Sequence, residues 1–141
     1  MAIYSQESKD ITKYQGRTWS DLDLNFGINP TTKDIRKKNG ENAIKQSIKN
    51  LLMTNRGERP FHPEIYGGLY EYLFEPLHPF TATSMQHSIE HVINTFEPRV
   101  RVEEVTVTEK STDDGYDILI IFTLINTEQL IEVEFFLERL R

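Results

Sequence analysis

Four glutamates in one short stretch, Glu58, Glu64, Glu71 and Glu75, are the side chains best suited to hydrolytic chemistry. A glycosidase needs two carboxyls about 5–9 Å apart across a sugar groove, one with a raised pKa so that it can donate a proton. Glu71 and Glu75 have one-turn spacing, but Glu75 stands in a Phe-Glu-Pro turn, and so short a chain has little left for a deep cleft. His87 and His91 share the same spacing, which could chelate a metal. At about 100° per helical residue they fall opposite Met85, Ile89 and Phe96 on the wet face. Glu90 is the nearest third ligand, and nothing would support it from behind. The pair therefore reads as solvated. His62 and His78 each precede a proline and read as caps or packing residues. There is no cysteine, Ser-His-Asp order, nucleophile elbow or phosphate loop. No catalytic residue, metal ligand or cofactor is expected.

Two charged segments have compositions that a core would not choose. Asn55-Arg56-Gly57-Glu58-Arg59-Pro60-Phe61 places Arg56 and Arg59 around a glycine turn. Phe96-Glu97-Pro98-Arg99 sets a proline between opposite charges where a helix meets a strand. One reading is an ion pair that stitches helix to sheet. The other is a charged dock for a partner protein.

The elements that must position these residues follow from periodicity. Residues 1–18 read as a flexible polar arm, ahead of a single domain over 19–141. Within TWSDLDLNF, Leu22, Leu24 and Phe26 alternate with Trp19, Asp21 and Asp23, as in a short strand or extended arm. Residues 29–42 look like loop and solvated surface. Ile44, Ile48, Leu51 and Leu52 form one apolar stripe, predicting a helix from about Gly40 to Thr54, capped by Asn39-Gly40 or Asn42. An ordered, aromatic-rich loop follows, with a short helix near Leu69–Phe74. A second main helix is expected from Thr81 to Pro98, with Phe80 and Met85 spaced as a hydrophobic staple.

The period then changes from 3.6 to 2. Val105 and Val107 alternate with polar neighbours, and Asp113-Asp114-Gly115 signals a turn. Residues 116–125 are apolar on both faces in part. In the last strand Ile131, Val133, Phe135 and Leu137 share one face opposite Glu132 and Glu134. The expected fold is α+β: two main helices on a small three-stranded antiparallel C-terminal sheet, with 116–125 central.

Composition bounds the function. The chain has 141 residues and a formal charge of −6, with net +4 over residues 1–60 and −10 over 61–141. The acidic half repels phosphate backbones, so nucleic acid is not the expected main partner. Such polarity suits a subunit that meets different proteins at its two ends, or simply keeps both halves soluble. No apolar run approaches the ~20 residues that span a bilayer, no membrane partner is expected, and the start lacks a signal-peptide layout.

In order, Leu51-Leu52-Met53-Thr54, Arg-Gly-Glu-Arg-Pro-Phe at 56–61, Pro63-Glu64-Ile65-Tyr66-Gly67-Gly68-Leu69, Leu73-Phe74-Glu75 and Glu97-Pro98-Arg99 form a recognisable set. From about residue 20 onward the chain resembles the lysozyme-like baseplate wedge family, the sheath initiators of contractile phage tails and of type VI secretion baseplates. Ile65-Tyr66 replaces the family's usual phenylalanine. The resemblance implies a non-enzymatic virion protein of a six-fold tail baseplate, assembled in the host cytoplasm. It implies that Glu97, Pro98 and Arg99 contact the wedge core bundle, with Arg56 and Arg59 as further wedge contacts. It also implies sheath pairing along the last strand, at Ile131, Val133, Glu134, Phe135 and Leu137, and proximity to central hub or tube proteins. The rival expectation is a cell-wall hydrolase using the loop carboxylates.

Overall fold

A computed structural model describes residues 19–76, 78–110, 112 and 114–139. The arm expected over 1–18 lies outside the described residues, as do Asp113 of the expected turn and the last two residues. The order is β1 (Ser20–Leu22), β2 (Lys37–Asn39), α1 (Glu41–Met53), α2 (Leu69–Tyr72), α3 (Pro79–Phe96), β3 (Val100–Lys110), β4 (Gly115–Leu124) and β5 (Leu130–Glu138). The class is α+β, as expected.

The apolar stripe of α1 is buried at Ile44, Ile48, Leu51 and Leu52, and α3 buries Met85, Ile89 and Ile93. These side chains join Tyr116, Ile118, Ile120 and Phe122 of β4 in one core. Full burial of one such aliphatic side chain stabilises by about 1.5–3 kcal/mol. The antiparallel sheet runs β3-β4-β5, so β4 is central and the other two are edges. Even-numbered residues of β4 point into the core, whereas Asp117, Leu119, Ile121 and Thr123 are half-buried on the opposite face. The register of β3 shifts between Val102 and Glu104, a bulge that starts the strand's polar stretch one residue out of step.

Two local expectations are corrected, and a third is narrowed. Helix α3 begins at Pro79, because His78 caps it: its Nδ1 accepts from the Phe80 N–H at 3.1 Å. Phe80 therefore lies inside the helix and is 74% exposed, so it forms no staple with Met85. Of the two expected starts of α1, the Asn39-Gly40 alternative holds, Gly40 being the N-cap with a positive φ of 59° and no side-chain cap bond, whereas Asn42 is already helical. Finally, residues 29–42 are not all loop. β2 returns antiparallel to β1, and Ile28 bridges Ile35, making a hairpin of 20–39.

Gly67 decides how the aromatic loop docks. A Cβ there would sit 2.1 Å from the Leu52 carbonyl oxygen, and its N–H donates to Thr54 O at 3.0 Å. Only glycine lets this backbone lie against the end of α1. That contact sets Leu69 and Leu73 into the core.

Candidate functional site

The corner between α3 and β3 is built by Glu97, Pro98 and Arg99. Glu97 closes the helix, its N–H donating to Ile93 O at 2.9 Å. Pro98 then fixes the exit, and Arg99 folds back on Glu97. Nε donates to Oε1 at 2.5 Å and Nη2 to Oε2 at 2.7 Å, a bidentate pair. The hydroxyl of Ser47 on α1 also donates to Oε2, at 2.8 Å. Burial raises the carboxyl's pKa, but the bonds from Arg99 and Ser47 outweigh it and hold it below the usual range. The third guanidinium nitrogen of Arg99 stands 3.8 Å from Asp21 Oδ2, and the Trp19 ring lies 6.0 Å from its carbon. Both sequence readings of this motif meet here. The pair stitches α3 to β3, α1 and the hairpin. Glu97 is only 4% exposed, so it faces the molecule's own interior, while Pro98 is exposed and Arg99 half-buried.

Asp23 turns inward, 3.3 Å from Lys38 Nζ, while Asp21 stays partly exposed beside Arg99. The alternation of the hairpin therefore points Leu22, Leu24, Phe26 and Ile28 into solvent, each at least half exposed. Sequence reasoning found this alternation but not its direction, which goes with Lys38 holding Asp23 and Arg99 standing beside Asp21.

Arg56 and Arg59 are both exposed. Arg56 lies over the Tyr66 ring at 5.7 Å. Glu58, between them, accepts instead from the backbone and side chain of Asn55, which hold its carboxyl low. Arg59 borders the same depression as Ser20, Asp21 and Ser47, so it neighbours the Glu97–Arg99 corner.

The hydrogen bonding of β5 can be read from its ends. Arg139 N–H donates to Asp114 O, and Leu124 N–H to Gln129 O. With the β4 register, this assigns the odd residues Ile131, Val133, Phe135 and Leu137 to bonding with β4. The N–H and C=O groups of Glu132, Glu134 and Phe136 then face the open edge. Glu134, rather than Phe135, is the outward donor.

The candidate hydrolytic carboxylates are only partly gathered. Glu64 and Glu71 line one shallow depression of about 310 Å³ with His91. Glu64 is exposed, and a backbone hydrogen bond together with His62, 3.0 Å away, holds its carboxyl low rather than raised. That is the wrong direction for a general acid. Glu75 lies 3.4 Å from the Thr81 hydroxyl instead. His87 and His91 are exposed, and among the described residues no group of three potential ligands could hold a metal.

Residues 38–129, more than half of the chain, match the family described as baseplate wedge protein gp25. The chain belongs to this family. Baseplate wedge protein gp25 of Enterobacteria phage T4 is 31% identical over 116 residues, which are 82% of this chain and 87% of the T4 protein. The fold of this wedge protein is shared with the crystal structure of a "putative tail lysozyme" from Geobacter sulfurreducens. There the TM-score is 0.66 at 22% identity, covering 72% of this chain and 92% of the other. It is also shared with a chain of the anti-feeding prophage baseplate, with a TM-score of 0.61 at 19% identity and 88% of each chain covered. No helix among the described residues is long and apolar enough to cross a membrane.

Proposed function

We propose that this wedge protein is a non-enzymatic subunit of a contractile-tail baseplate that joins the inner wedge to the first ring of sheath subunits. The observation that carries the reading is the outer edge of β5, which no described strand pairs. Outward N–H and C=O groups at Glu132, Glu134 and Phe136 can template a strand from another chain. Pro98, Arg99, Arg56 and Arg59 offer a charged surface for wedge proteins, and Glu97 holds Arg99 in place rather than touching the partner. Central hub or tube proteins complete the surroundings.

Glu134→Pro tests the sheath contact. It removes one outward donor without breaking a β4 bond, so the domain folds and enters baseplates. Electron microscopy of tails carrying it should show baseplates without extended sheaths. Normal sheaths on these baseplates would overturn the reading.

A further inference from the structure

Between the hairpin and α1 runs a trough formed by two adjoining cavities of about 660 and 490 Å³, which share Leu24, Gln46 and Asn50. One wall is the polar face of α1, where Asn42, Lys45, Gln46, Lys49 and Asn50 recur at helical spacing. The other is β1 and its continuation, with Leu22 and Leu24 as an aliphatic lip. Arg59 stands at one end, Lys37 and Val133 of β5 at the other. The acid in the lining, Asp21, faces Arg99, and of the lysines Lys38 is satisfied by Asp23. Lys37, Lys45, Lys49 and Arg59 form no ion pair with any described residue. A cationic floor beside an exposed aliphatic lip, in a chain of net charge −6, is an uncompensated surface.

We propose that this trough seats an acidic amphipathic helix of a neighbouring baseplate protein. A cationic wall beside an aliphatic lip calls for carboxylates and apolar side chains on adjoining faces, which an amphipathic helix presents. Lys45 and Lys49 are one turn apart, about 6 Å along the axis. Leu22 ends β1 and Leu24 lies in the turn just after it, both exposed. A helix lying in the trough with carboxylates at i and i+4 meets the lysines, and with apolar side chains at i and i+4 on its adjoining face it covers the leucines. Nucleic acid fits less well, because the lining has no aromatic ring on which a base could stack. The proposal rests on the reading of the chain as a baseplate subunit but not on the sheath contact at β5. It also gives Arg99 a role beyond its own surface. By holding Asp21 and Trp19 it fixes β1, and so fixes the lip of the trough.

The test uses assembled tails treated with a zero-length carbodiimide cross-linker and analysed by peptide mass spectrometry. Lys45 or Lys49 should be joined to Asp or Glu of another tail protein, within a segment having apolar residues at three- and four-residue spacing. Lys45→Glu with Lys49→Glu should lower incorporation into baseplates at least about tenfold, with an unchanged melting curve, while Lys45→Arg with Lys49→Arg should restore it. Cross-links confined to this chain, normal incorporation of the Glu variant, or nuclease-sensitive retention would each overturn the proposal. The two readings fail separately. Loss of baseplate entry marks the trough, whereas Glu134→Pro blocks a later step.

Discussion

The hydroxyl of Ser47 donates to Oε2 of Glu97 at 2.8 Å, tying the middle of α1 to the end of α3 across fifty residues of sequence. The same oxygen accepts from Arg99, so removing either donor leaves a buried carboxylate short of partners. Arg99→Ala should therefore destabilise the domain by about 2–4 kcal/mol, because an uncompensated buried charge costs more than the pair contributes. Chemical denaturation of Arg99→Ala against wild type measures this. A loss below about 0.5 kcal/mol, the scale of an exposed pair, would show that the corner is solvated.

The acid limb of the stability curve should report Glu97. Its carboxyl pKa is lowered in the fold, so its contribution is complete above the unfolded value near 4.5. That contribution is lost as pH falls through the folded value. Glu97→Gln should flatten the fall in stability below pH 4.5. Parallel acid curves for the two proteins would assign the acid sensitivity elsewhere.

Gly67→Ala should fold poorly. The added methyl would meet backbone, the Leu52 carbonyl at 2.1 Å, and backbone cannot rotate away as a side chain can. A loss of roughly 3 kcal/mol or more is expected from displacing the loop that carries Leu69 and Leu73. By contrast, Gly57→Ala meets no atom within 4 Å and should suffer only from its positive φ of 81°, about 1 kcal/mol. Comparing the two melting temperatures separates steric contact from backbone conformation.

Glu64→Gln and Glu71→Gln, alone or together, should leave tail assembly and infectivity unchanged, and purified protein should release no sugar from peptidoglycan. The shared depression is shallow, and the Glu64 carboxyl is held low by its own backbone and by His62. Clearing activity that disappears with either change would restore the hydrolase.

Loss of the His78 cap gives a local measure. His78→Ala removes the acceptor for Phe80 N–H and should lower stability by about 1 kcal/mol. His78→Asn, which offers another acceptor at the same position, should recover most of it.

Periodicity in the sequence was sufficient for the helices α1 and α3, the antiparallel meander and the central place of β4, because one buried face per element imposes a repeat that survives without knowledge of neighbours. It also isolated Glu97, Pro98 and Arg99, whose composition is conspicuous at a helix-to-strand junction. The tertiary structure decided which way such patterns point. Leu22, Leu24 and Phe26 alternate with Asp21 and Asp23 in sequence, and hydrophobicity alone would bury the leucines. Lys38 on the neighbouring strand holds Asp23, Arg99 from the far end of α3 stands 3.8 Å from Asp21, and the leucines face outward. Likewise, side-chain alternation along β5 says nothing of which neighbour a backbone N–H faces. The bonds Arg139–Asp114 and Leu124–Gln129 at the two ends of β5 fix that parity. Whether Glu97 is a dock or a strut depended on Ser47, a residue with no signal in its own segment, because a long-range hydrogen bond to one hydroxyl leaves no periodic trace.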